Sequence, residues 1–325
     1  MLRECIASLR DQGVAETLVV DNGSADGSAA AAAAEFPDLK LLTPGRNLGF
    51  AGGANLGARR AREGLLLFLN PDIRLAPGSV PAMAARFADP RVGVLAPPLW
   101  VEATGNVEYG ATVDVIGSPV GLTTSAPPLY VHGCALMTRS TLFHELAGFD
   151  ERFFMFVEDV DYCWRVLLTG RDVAVALVQP AWHFGGAVAA GGYIKHEELS
   201  STLFRVALRE RNTFAMLLKC YGGLLASMIA PAYIAQSLLT AAALAARGNK
   251  RTARAIVAGV RWNSRELRRT LELRRDAQAR RTVSDAAVLR RMYRGVWKLH
   301  LLRQFGLPTV TESGPVPDYS DVPMT

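Results

Sequence analysis

Apolar positions in the first half of the chain follow two alternating rhythms. Leu2, Cys5, Ile6 and Leu9 share one face of a helix predicted over 2–10, which Gly13 closes. Short continuous apolar runs at 17–21, 39–42, 65–70, 92–96 and 173–178 read as strands. Between them lie an Ala-rich helix ending near Phe36, a helix near 54–62, and one over 77–88 with Pro77 in its first turn. Further helical patterns cover 140–146 and 157–168. Helices alternating with fully apolar strands predict an α/β fold, a mostly parallel sheet sandwiched by helices. The stretch 97–128 is rich in Gly, Pro and Thr and reads as irregular, and 185–192 reads as a mobile Gly/Ala loop. From His196 to Pro308 the pattern is helical throughout. Beyond Pro308 come three further prolines and few large apolar side chains, which predicts disorder. The expected organisation is therefore a catalytic domain over 1–195, a helical extension over 196–306 and a disordered tail over 307–325. Parallel α/β sheets open with a strand that ends at the ligand crevice. Here the first element is a helix, so the first strand is expected to be missing.

Charge changes this picture in the second half. The formal charge is +6, yet 247–303 holds 17 Lys/Arg against 4 Asp/Glu, which leaves the remainder at −7. A basic helical segment beside a mildly acidic domain points to an anionic partner, lipid or nucleic acid. The 27 residues from 220 to 246 carry no charge and are long enough to span a bilayer. Pro231, Gln236 and many alanines favour helices lying in the membrane interface instead, with Trp262, Tyr293 and Trp297 at headgroup level. A helical hairpin covering the catalytic domain is the plain structural alternative. No nucleic-acid recognition motif is present, so nucleic acid is not expected as a partner. Cys5, Cys134, Cys163 and Cys220 show no ligand-like spacing and read as reduced thiols of a cytoplasmic protein, and residues 1–10 do not read as a signal peptide.

Five segments could carry chemistry. D-N-G-S-A-D-G-S (21–28) follows a strand, where Asp21 could accept from a base or ribose group; Ser24 and Asp26 also suit a capped turn. G-R-N-L-G-F-A-G-G-A-N-L-G (45–57) lacks dinucleotide spacing but suits a diphosphate approaching a helix N-terminus, or merely a flexible loop. N-P-D (70–72) places a carboxylate at a strand end, fit for a hard divalent ion or for an Asx-Pro turn. In F-D-E-R-F-F-M-F-V-E-D-V-D-Y-C-W-R (149–165), Asp161 and Arg165 form an i, i+4 pair. Glu158 and Asp159 suit either a helix N-terminus or a general base. His183 in W-H-F-G-G could be structural, or could reach the crevice that holds Asp72.

Taken in this order, the segments resemble family 2 glycosyltransferases of the GT-A fold, nearest the rhamnosyltransferase-like subgroup that builds bacterial surface polysaccharides. The resemblance implies a nucleotide-diphospho-sugar site formed by Asp21, Ser24, Asp26, Arg46, Asn47, Gly49, Phe50, Gly53, Asn55, Gly133 and Cys134. It implies a divalent metal, Mn or Mg, at Asp72 with His183, and Asp159 as catalytic base. It further implies inverting transfer of rhamnose from dTDP-rhamnose to a lipid-linked glycan acceptor, by an enzyme peripheral on the anionic inner face of the plasma membrane. The rival expectation is a non-catalytic nucleotide-sugar-binding or membrane scaffold protein inactivated by N-terminal truncation.

Overall fold

The structure is a computed structural model that describes residues 1–102, 104–184, 194–195, 198–306 and 309–311. The loop expected at 185–192 and most of the expected disordered tail lie outside the described residues. The chain divides into two compact units, 1–111 with 121–185, and 112–120 with 186–325.

The first unit runs α1 (Leu2–Ala7), β1 (Thr17–Val20), α2 (Ser28–Glu35), β2 (Leu39–Leu42), α3 (Gly49–Arg60), β3 (Leu65–Leu69), β4 (Ile73–Arg74), α4 (Ser79–Arg86), β5 (Val92–Ala96), β6 (Leu99–Val101) and β7 (Asn106–Glu108). The short strands β8 (Ala111–Val113) and β9 (Pro119–Gly121) straddle the boundary between units. There follow β10 (Ala135–Arg139), α5 (Ser140–Glu145), a 3-10 turn at Glu151–Phe153, α6 (Glu158–Leu168), β11 (Asp172–Val175) and β12 (Ala181–His183). β1 and β2 pair in parallel, and a four-stranded sheet runs β11-β5-β10-β3. β10 is antiparallel to both neighbours, while β11 and β5 are parallel. A second four-stranded sheet, β4-β12-β6-β7, gives order to the first part of a segment whose composition reads as irregular.

Packing follows the apolar pattern. Every residue of β5 is buried, as a strand covered on both faces requires. Ile6 packs with Ala32, Phe36 and Val19, so the apolar face of α1 is seated on α2 and β1. Phe68, Phe143, Phe149 and Tyr162 form an aromatic core with ring centroids 4.9–5.5 Å apart. Two helix starts differ from expectation. α3 begins at Gly49 and carries Gly52, Gly53 and Gly57 inside it. Helical glycine costs about 1 kcal/mol against alanine, and here it permits close approach. A Cβ on Gly53 would lie 2.9 Å from the Asn22 side chain, and one on Gly57 3.4 Å from Val20. α4 starts after Gly78, whose φ of 76° ends the preceding turn, so Pro77 stands outside the helix.

In the second unit β13 (Ile194–Lys195) and β14 (Glu198–Thr202) precede α7 (Leu203–Cys220), α8 (Gly223–Ala246), α9 (Lys250–Arg265), α10 (Leu267–Ala279), α11 (Asp285–Leu289), α12 (Trp297–Phe305) and β15 (Thr309–Thr311). Strand β14 replaces the start of the expected all-helical region and pairs in parallel with β15, which the sequence placed in its disordered tail. Residues 112–120 join this unit through Tyr293 N–H donating to the Val113 carbonyl and Trp297 N–H to Asp114 Oδ2. Trp262 is buried beneath the Arg211 guanidinium at 4.5 Å, which removes it from any headgroup layer.

Candidate active site

The site grows out of strand register. β10 lies beside β3 with Ala135 opposite Leu69, and Asn70 N–H donates to the Cys134 carbonyl at 2.9 Å. This fixes Gly133–Cys134 next to Asn70–Pro71–Asp72. β12 pairs antiparallel with β4, setting His183 opposite Ile73, and Phe184 N–H donates to the Asp72 carbonyl. The same register brings His183 Nε2 to 3.6 Å from Asp72 Oδ2. Asp159, in the first turn of α6, accepts from Gly133 N–H through Oδ2 at 3.0 Å and from Val160 N–H through Oδ1 at 2.8 Å. Distant stretches of sequence thus meet through backbone hydrogen bonds.

Electrostatics separates the acidic pair. Burial, reinforced by the neighbouring Asp159 charge, pushes the Glu158 carboxyl well above its usual range, and its Oε2 has no hydrogen-bond partner among the described residues. Burial thus favours the neutral form of Glu158, whereas both carboxylate oxygens of Asp159 accept backbone hydrogen bonds. Burial also lowers the His183 pKa against the opposing pull of Asp72, keeping a neutral ring with a lone pair to offer. Asp72 is buried, and its Oδ1 likewise lacks a partner among the described residues. A buried orphan carboxylate oxygen beside a neutral imidazole fits a divalent cation. Among the described residues, no three His, Cys, Asp or Glu side chains converge as a cage. Cys134 is buried. Burial first, then the fields of Asp72, Asp159 and Glu108, push its thiol far up, so it lines the site without acting as a nucleophile.

A second group of residues lies beyond Gly49. Asp21 follows β1, and its Oδ1 accepts from Ser24 N–H at 2.8 Å; the backbone and hydroxyl of Ser24 hold this carboxyl below its usual range. Asp26 Oδ1 accepts from both the N–H and hydroxyl of Ser28. The residue capping α2 is Gly27, so neither Ser24 nor Asp26 takes the expected cap position. Arg46 and Asn47 are exposed in the turn before α3, where Asn47 Oδ1 accepts from Gly49 N–H. Asn22, which sequence reasoning passed over, donates to the Gly49 carbonyl at 2.9 Å and ties β1 to α3. Phe50 rests on Phe149 at 5.7 Å, and its ring edge would lie 3.1 Å from a Cβ on Gly133. Gly53 packs on Asn22. Asn55 differs from its expected role: buried, it donates to the Phe149 carbonyl and Glu151 and accepts from Phe149 N–H, so its amide holds scaffold rather than ligand.

The backbone before α6 is strained where it meets α3. Phe154, Phe156 and Val157 have φ of 63°, 69° and 75°, unusual for bulky or β-branched residues. Ala51 N–H donates to the Phe154 carbonyl oxygen, which approaches Gly49 so closely that a Cβ there would lie 2.2 Å away. Asp161 and Arg165 form the expected pair at 2.8 Å, fully buried, with the guanidinium also donating to the Leu146 and Gly148 carbonyls. The pair anchors α6 and leaves Asp159 to the crevice. Glu108 and His132, 3.1 Å apart, were not legible as site residues. Glu108 stands in the apparently irregular stretch, and only the adjacency of His132 to Gly133 hints at its place.

Residues 1–143 match the model of glycosyl transferase family 2. An N-acetylglucosaminyl-diphospho-decaprenol L-rhamnosyltransferase of Mycobacterium tuberculosis is 32% identical over 191 residues, covering 47% of this chain and 61% of that protein. A low-salt glycan biosynthesis hexosyltransferase of Haloferax volcanii is 25% identical over 187 residues, covering 54% of this chain and 60% of that protein. The chain thus spans less than two thirds of either relative. The crystal structure of GalNAc-T7 with UDP, GalNAc and Mn2+ shares the GT-A fold, with TM-score 0.52 at 12% identity over 69% of this chain and 46% of that one.

Proposed function

We propose, from the match of residues 1–143 to the model of glycosyl transferase family 2, that the chain is a member of that family and transfers rhamnose from dTDP-rhamnose, with inversion, to a lipid-linked glycan. The observation that carries this reading is the register of β3, β10, β4 and β12, which gathers Asp72, His183, Gly133–Cys134 and Asp159.

Asp72 and His183 would hold Mn or Mg, which when bound supplies neutralising charge to a leaving diphosphate. Asp159 accepts the proton of the acceptor hydroxyl as that oxygen bonds to the anomeric carbon. The bond from that carbon to the diphosphate oxygen breaks, and its electron pair leaves with the dTDP. One base and a single displacement invert the centre; no partner carboxylate is needed to form a covalent intermediate. Gly133 N–H orients the base, and Glu158, in the neutral form that burial favours, adds no competing charge. Asp21, Asn22 and the start of α3 form the side suited to the nucleotide.

A membrane-borne acceptor accords with α8. Leu224, Met228, Leu238 and Leu239 are exposed along this uncharged helix, and Arg247, Lys250 and Arg251 follow it. Its opposite side donates Tyr233 and Ser237 hydroxyls to largely buried Glu210, which also pairs with Lys298. A helix tied on one side to a partly buried ion pair suits a position in the interface, at the anionic cytoplasmic face, better than a span.

Calorimetric titration of dTDP-rhamnose into the purified chain, with and without manganese, tests the reading. Saturable binding that needs the metal and is weakened by Asp72→Ala is expected. A folded chain that binds no sugar nucleotide in either condition overturns it.

A further inference from the structure

Glu108 ends β7 and His132 precedes Gly133, and the chemistry above uses neither. His132 Nε2 lies 3.1 Å from Glu108 Oε2, with 29% and 23% of the two side chains exposed. The pair is oriented from two directions. The Tyr130 ring meets the His132 ring edge-on at 5.5 Å, and Gly121 leaves room where a Cβ would sit 3.2 Å from Glu108 Oε1. Burial raises the Glu108 pKa, but the His132 hydrogen bond, its charge and that of His183 together hold it below the usual range. The pair also belongs electrostatically to the crevice, because Glu108 acts on Cys134 and His183, and His132 acts on His183. His132 adjoins the peptide N–H that holds Asp159.

We propose that Glu108 and His132 form a subsite for a pair of neighbouring hydroxyls on a sugar ring beside Asp159, an inference that rests on the glycosyl-transfer reading. An ionised carboxylate repels a diphosphate, so the pair is unsuited to the charged part of a sugar nucleotide. A carboxylate with two acceptor oxygens next to an imidazole matches a neutral diol, in which each hydroxyl both gives and receives. Such a diol can come from the donor sugar or from the acceptor sugar.

The test uses the full chain with Glu108→Gln and His132→Ala, and N-acetylglucosaminyl-diphospho-prenol as acceptor probe. Initial rates are measured with each substrate varied in turn, and thermal melts confirm that the variants fold. Loss of charge-assisted hydrogen bonds should raise one KM by about 10- to 100-fold, with kcat changing less. A rise confined to the acceptor KM assigns the subsite to the acceptor ring. A rise in the donor KM, with weaker calorimetric dTDP-rhamnose binding, assigns it to the donor ring. Folded variants with both KM values unchanged overturn the subsite. If the unmutated chain transfers nothing, the glycosyl-transfer reading fails. The subsite is then judged by direct binding of each probe to unmutated and Glu108→Gln chains, and equal affinities overturn it.

Discussion

Asp159 is oriented before any substrate arrives, because Gly133 N–H and Val160 N–H each occupy one of its oxygens. Asp159→Asn keeps the shape and removes the basicity. Turnover should fall by roughly 10²- to 10⁴-fold, with dTDP-rhamnose affinity by calorimetry unchanged. Normal turnover would remove Asp159 from the role of base. At this scale the sequence was partly legible. The Asp161–Arg165 pair follows directly from helical spacing. The Glu158–Asp159 pair was visible as two acids, but only the tertiary structure shows that the Glu158 carboxyl is buried while the Asp159 carboxylate accepts from Gly133 and Val160 N–H. Asn55 was misread because an Asn in a Gly-rich run does not disclose whether its amide meets ligand or backbone. Glu108 carried no signal, since its meaning depends on His132, 24 residues away.

α3 and the segment before α6 depend on each other. Gly49, at φ 69°, faces the Phe154 carbonyl, and the three left-handed residues Phe154, Phe156 and Val157 lead into α6. Gly49→Ala would add a conformational penalty of about 1–2 kcal/mol and drive a methyl into that carbonyl oxygen. A lower melting temperature together with reduced kcat is expected, because displacing Phe154 moves the start of α6 and with it Asp159. A variant with both values unchanged would show that the contact yields without consequence. The sequence revealed β1, β2, β3, β5 and β11, since runs such as Leu65–Leu69 are apolar throughout, but not the central strand β10 or the short strands of the second sheet. It placed the start of α3 late because glycine propensity argues against a helix, and tertiary close approach overrides propensity. Strand β14 was missed because a five-residue run beside a long helical pattern is weak local evidence.

Each unit of the molecule has its own core and its own chemistry. The first gathers the carboxylates and histidines, and the second presents an uncharged helix among arginines. Replacing Leu224 and Leu239 with Glu alters exposed positions only, so the fold should persist. Binding to vesicles containing anionic lipid should weaken by about tenfold or more, because each leucine loses roughly 1.5–3 kcal/mol of burial and each new charge is repelled. Co-sedimentation measures this, and undiminished binding with an unchanged melting temperature would exclude α8 as the contact. By itself the sequence determined the alternation of helix and strand, the carboxylates at strand and helix ends, and the division between acidic and basic halves. These are local properties, written in hydrophobic period, turn chemistry and charge. Only the tertiary structure decided that β10 runs antiparallel between β5 and β3, that the β4–β12 register joins Asp72 to His183, and that the Glu158 carboxyl is buried and pushed well above its usual range. Strand order, register and burial depend on residues distant along the chain, and a local pattern does not encode which distant partners meet.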